Sequence, residues 1–112
     1  MDMILEKIIK RCDALSVYEE RCASDEYYEI VFYTKDTDEW NKIFINVFGH
    51  PIKPAGARPT KHDLRLTKNY KGVYDNQTLF KKEFDDVTVI AMFWPWEDGN
   101  FTTLKMAVLR KL

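Results

Sequence analysis

Six cations stand within residues 50–72: Lys53, Arg58, Lys61, Arg65, Lys68 and Lys71, with His62 among them and Asp63 as the one acid. A run of this kind suits recognition of an anion. If Lys61 to Lys68 is helical, its first amides lack partners within the helix and stand beside Arg58 and Lys61, just after Ala55-Gly56-Ala57. Backbone donors, helix dipole and flanking cations would then converge. The candidate anion-binding set is Lys53, Arg58, Lys61, His62, Arg65 and Lys68. The segment is no Walker loop, because Gly56 lacks the G-x-x-x-x-G-K-[ST] frame and no strand feeds it. The plainer alternative is a solvated cationic face, or one that balances acids elsewhere in the chain.

Trp94-Pro95-Trp96 is the second unusual feature. Two indoles around a proline at a hairpin end could stack on a base, a sugar or a partner's side chain, so Trp94 and Trp96 form a candidate stacking pair. Burial of Trp94 in the core, with Trp96 over the hairpin edge, is the structural alternative.

Catalytic chemistry has a thin inventory. His50 and His62 are the only histidines, and neither sits in an H-E-x-x-H or comparable spacing that would hold a metal. Glu83, Asp85 and Asp86 could surround a divalent ion, but adjacent aspartates also make tight turns unaided. Cys12 reads as a small core residue, not a nucleophile. No catalytic residue, metal or cofactor is expected from these patterns.

The elements that must position these residues follow from periodicity. Ile4, Leu5, Ile8, Ile9, Cys12 and Leu15 share one helix face, which predicts a helix from Asp2 to the region of Tyr18 or Cys22. Over the ten residues from Cys12 to Cys22 such a helix turns through about 1000°, so no disulfide is expected. Tyr27 to Thr34, aromatic and β-branched, predicts a strand. Asp36 and Glu39 then have capping-box spacing ahead of Trp40, Ile43, Phe44 and Val47, and Gly49 supplies a stop. From His50 to Gly72 the chain reads as a long connection, with Thr60 and Asp63 capping a short helix through Leu66 or Lys68. Thr78 to Phe84, Val87 to Trp94 and Phe101 to Leu109 predict an antiparallel meander, turned at Asp85-Asp86 and at Asp98-Gly99.

The expected architecture is one two-layer α+β domain over residues 1–112, a mostly antiparallel four-stranded sheet with two long helices on one face. Both faces of Val87 to Trp94 are mostly apolar, so its second face must also be covered, by the connection, a second copy or a ligand.

Composition bounds the function. The hydrophobic fraction of 46% places the chain among folded domains. A net charge of −1 provides no global field toward nucleic acid or anionic lipid. That total conceals segregation: residues 1–49 carry 6 bases and 11 acids, residues 50–72 carry 6 and 1, and residues 73–112 carry 5 and 6. No leader or membrane-spanning run is visible, and a cytoplasmic location is expected. The expectation for function is a small intracellular, non-catalytic binding or interaction domain that engages an anionic ligand, nucleic acid or acidic protein through residues 53–71. One rival is a small enzyme for a phosphorylated or carboxylated substrate, with His62 as acid or base. Another is a homodimer joined through an apolar sheet face.

Overall fold

The computed structural model describes residues 4–110. Five strands form one antiparallel sheet: β1 (Glu19–Ala23), β2 (Tyr27–Tyr33), β3 (Thr78–Phe84), β4 (Val87–Pro95) and β5 (Phe101–Arg110), in spatial order β1-β2-β5-β4-β3. The helices are α1 (Ile4–Lys10), α2 (Thr37–Phe48) and α3 (Lys61–Thr67), the last extended by a 3-10 turn over Lys68–Tyr70. The α+β class is as expected, and β3, β4 and β5 form the three-stranded antiparallel meander expected over these residues.

Two expectations need correction. The sheet has five strands, not four, and the first helix is short. Its predicted start at Asp2 lies outside the described residues, and it ends at Lys10 instead of running on to Tyr18 or Cys22. Glu19-Glu20-Arg21-Cys22-Ala23 then pairs with β2, with a bulge between Glu20 and Cys22. A strand that is exposed along most of its length needs no apolar alternation; its backbone partners in β2 define it. Cys12 and Cys22 are both free thiols.

In α2, Trp40, Phe44, Val47 and Phe48 are buried at helical spacing. They pack with Leu5 and Ile8 of α1 onto Ile30, Phe32, Phe80, Phe93, Leu104 and Met106 of the sheet. The Phe32 and Trp40 rings stack at 4.7 Å, and Phe93 meets Phe44 and Phe80 edge-on. Aromatic pairs in these geometries add about 0.5–1.5 kcal/mol each beyond the area they bury. Asp36 precedes the helix without making a side-chain cap, contrary to the capping box expected there. Gly49 ends it at φ 83°, its amide bonded to the Ile45 carbonyl at 2.8 Å.

The connection covers the opposite face. Val73 is buried with Leu79, Ile90, Met92 and Ala107, and Leu66 and Tyr70 pack beside them. This explains why β4 is apolar on both sides. The short helix has the expected cap: Thr60 Oγ1 accepts from the Asp63 amide at 3.1 Å while the Asp63 carboxylate accepts from the Thr60 amide at 2.9 Å. Lys53 fastens the connection to the sheet. Its backbone bridges Leu79, the residue is 1% exposed, and its ammonium donates to the carbonyls of Pro54 (2.9 Å), Asp75 (3.0 Å) and Gln77.

Candidate anion-binding cleft

Where the connection stops short of β1 and β2, the second sheet face remains open. A cleft of about 420 Å³ lies there, floored by the sheet and walled by Asn69, Tyr70 and Lys71. Antiparallel register builds its floor. Glu29 of β2 lies opposite Lys105 of β5, and Thr103 of β5 lies opposite Trp94 of β4. Alternation along β5 directs Thr103 and Lys105 away from the helices, whereas Leu104 and Met106 join the helix-side core. Arg21 reaches the rim from the bulged stretch of β1, so a local irregularity of the edge strand helps bring a cation to the cleft.

Lys105 is the central group. The residue is 8% exposed, and its ammonium lies 3.3 Å from the centroid of the Trp94 ring. No carboxylate stands within ion-pair distance of it among the described residues. Burial pushes its pKa down; Glu29 opposes that shift, and Lys71 and Arg21 add to it. The Trp94 indole N–H is likewise buried without a hydrogen-bond partner. The Lys105 ammonium is thus a cation without an ion-pair partner among the described residues, held against an aromatic face.

The remaining groups are held in place. Tyr27 donates to Glu29 Oε1 at 2.6 Å, and Arg21 stands 3.6 Å from the other Glu29 oxygen. Burial, reinforced by the bond to Glu29, holds the Tyr27 proton far into the alkaline range. The Tyr27 ring stacks on Tyr70 at 5.4 Å. Lys71 adopts φ 72°, a left-handed conformation that costs a side-chain-bearing residue about 1–2 kcal/mol. Trp96 sits beyond the rim, its indole N–H bonded to Thr103 Oγ1 at 2.8 Å and its ring 5.4 Å from the Arg21 guanidinium. Three cations, Arg21, Lys71 and Lys105, face one carboxylate, Glu29, so the cleft has a local excess of positive charge.

The basic segment is divided by the fold. Lys53 is committed to three backbone carbonyls and is not available to a ligand, which removes it from the expected binding set. Arg58, Lys61, His62, Arg65 and Lys68 are exposed on and around α3 and line none of the cavities found. Of the amides at the start of α3, expected to meet an anion, that of Asp63 is already taken by Thr60 Oγ1, and the Asp63 carboxylate takes the Thr60 amide just ahead of the helix. His62 Nε2 lies 3.4 Å from Lys81 Nζ, and His62 makes no ion pair among the described residues. Of the island only Lys71 enters the cleft, and of the two tryptophans only Trp94 lines it. Among the described residues no cluster of histidine, cysteine and carboxylate suits a metal ion, so Glu83, Asp85 and Asp86 form no such group.

Arg21, Tyr27, Glu29, Tyr70, Thr103 and Lys105 were not singled out by residue pattern. One signal was present: Lys105 interrupts an apolar strand that neighbours another strand covered on both faces. A lysine at such a position needs a reason to be there.

No protein-family model, no curated protein and no solved structure matches the chain. No helix among the described residues is long and apolar enough to cross a membrane.

Proposed function

We propose that this chain is a binding domain for a small anionic ligand, held in the cleft between the β1–β2–β5 surface and Tyr70–Lys71. The observation that carries this reading is Lys105, a buried residue whose ammonium lies on the Trp94 ring with no carboxylate within ion-pair distance among the described residues. A carboxylate or phosphate entering the cleft would meet Lys105 from within and Arg21 and Lys71 from the rim. Charge-assisted hydrogen bonds made there are stronger than those made in open water. The cleft's size suits a ligand of a few to a dozen or so heavy atoms, not a long polymer.

The test is a titration with oxalate, inorganic phosphate and citrate, followed by tryptophan fluorescence and calorimetry at two salt concentrations. Saturable binding of at least one, weakened at least about tenfold by Lys105→Met, is the expected result. Equal affinity in wild type and Lys105→Met, or no binding of any of the three, overturns the reading.

A second reading rests on a separate observation. Arg58, Lys61, Arg65 and Lys68 form no ion pair among the described residues and crowd one exposed surface. On this reading that surface engages an acidic protein or a nucleic acid, with affinity that falls steeply as salt rises. Salt-insensitive binding, or binding unchanged when Arg58, Lys61 and Arg65 are replaced together by alanine, would rule it out.

A further inference from the structure

We propose that Lys105 captures carbonyl compounds that carry an anionic group, 2-oxo acids being the smallest class, by forming an imine in this cleft. The inference rests on the reading that the cleft binds a small anion, and it adds what the bound molecule does there.

Three features of the geometry lead to it. The first is the amine itself, buried in an open cleft and not engaged in any hydrogen bond to the protein among the described residues, unlike the Lys53 ammonium with its three carbonyl acceptors. Burial and neighbouring cations favour the neutral, nucleophilic form of an amine, and Lys105 is buried with Arg21 and Lys71 beside it. The second is a proton carrier: Glu29 lies across the strand pair from Lys105 and is hydrogen-bonded to the Tyr27 hydroxyl at 2.6 Å. The third is an anchor, since Arg21 and Lys71 at the rim can hold a carboxylate while its adjacent carbonyl lies deeper in the cleft.

The chemistry balances without a further reagent. Because Glu29 is not within ion-pair distance of Lys105, it takes one proton from the ammonium through an intervening water, and the freed nitrogen lone pair attacks the carbonyl carbon, forming the C–N bond of a carbinolamine. That proton and a second one from nitrogen pass to the former carbonyl oxygen, which leaves as water while the C=N bond forms. Ammonium and ketone thus become protonated imine and water, with no net change of charge. The positive charge remains on nitrogen beside Trp94, so the contact that now holds the ammonium also stabilises the product.

The experiment uses the full chain with pyruvate and cyanoborohydride, which reduces an imine to a stable secondary amine. Intact mass and peptide mapping locate the adduct, and pyruvate binding without reductant is measured in parallel. The expected result is one adduct on Lys105, formed at least about tenfold faster than on Lys7 or Lys10. It should be absent in Lys105→Arg and slowed in Glu29→Gln, with the fold of both variants checked by circular dichroism. Adducts spread evenly over exposed lysines, or none at Lys105, would overturn the proposal. If pyruvate still binds in that case, imine formation fails and the anion-binding reading stands; if it does not bind, both fall for this class of ligand.

Discussion

The Lys105 ammonium lies 3.3 Å from the centre of the Trp94 ring, two strands of one sheet presenting a cation and an aromatic face to each other inside a cleft. The contact supplies part of what water would otherwise give the charge, in the range of about 1–2 kcal/mol for a desolvated pair. Burial lowers the Lys105 pKa, with Lys71 and Arg21 adding to the shift and Glu29 opposing it.

Lys105→Met therefore trades binding for stability. The thioether chain fills a similar volume without a charge to desolvate, and the variant is expected to gain about 1 kcal/mol while losing anion affinity. Urea unfolding monitored by fluorescence reads the first effect, and the titration described above reads the second.

The difference in stability between Lys105→Met and wild type depends on pH in a direction set by linkage. Below the lowered folded-state value, native Lys105 is charged and bears the full penalty. Between that value and 10.5 the unfolded chain holds more protons than the native one, so wild-type stability rises relative to the variant. The gap is expected to narrow from neutral pH toward pH 10, as measured by paired urea melts. A gap that widens would contradict the assignment.

Cys12 and Cys22 are expected to differ in reactivity. Burial pushes the Cys12 thiol up to about 11, whereas Cys22 is partly exposed. At pH 8 a disulfide reagent should label one thiol quickly, at Cys22, and reach Cys12 only upon unfolding. Because the Cys12 value is raised from 9.0, its contribution to stability is complete below pH 9 and is lost as pH climbs through 11. Replacing Cys12 by alanine should remove that component of the alkaline decline.

Lys53→Met should destabilise where Lys105→Met stabilises. The Lys53 ammonium is bonded to three carbonyls; removing it takes the buried donor from the Gln77 carbonyl, while the Pro54 and Asp75 carbonyls keep the Ala57 and Gly56 amides, at a cost of about 1–3 kcal/mol. A lowered urea midpoint with an unchanged slope would report it. The opposite signs for two buried lysines test whether partnership, not burial alone, decides.

Thr60→Ala removes one half of the α3 capping box and should cost about 1 kcal/mol, with the loss felt mainly in the connection. Hydrogen exchange at Asp63 and Leu64 would report it directly.

Much of the fold was legible in the residues because the forces that shape it are local. The β-branched and aromatic residues of β2, β4 and β5, the Asp85-Asp86 turn and the Thr60–Asp63 cap each act within a few residues. The same holds for α2, whose apolar stripe and terminal Gly49 announce it. Strand β1 was not legible, since Glu19-Glu20-Arg21 bears no signal apart from the neighbour it pairs with.

The site was decided by tertiary structure alone. Register between β2, β5 and β4 places Glu29, Lys105 and Trp94 on one face, and the end of the connection brings Lys71 to the same cleft. Sequence counts charges but not their depth: it grouped Lys53 with the exposed cations of α3, whereas the fold encloses Lys53 among carbonyls and leaves Lys105 without an anion. Local propensities determine which segments are helix or strand, but whether a charge finds a partner depends on groups that meet only when distant strands pair.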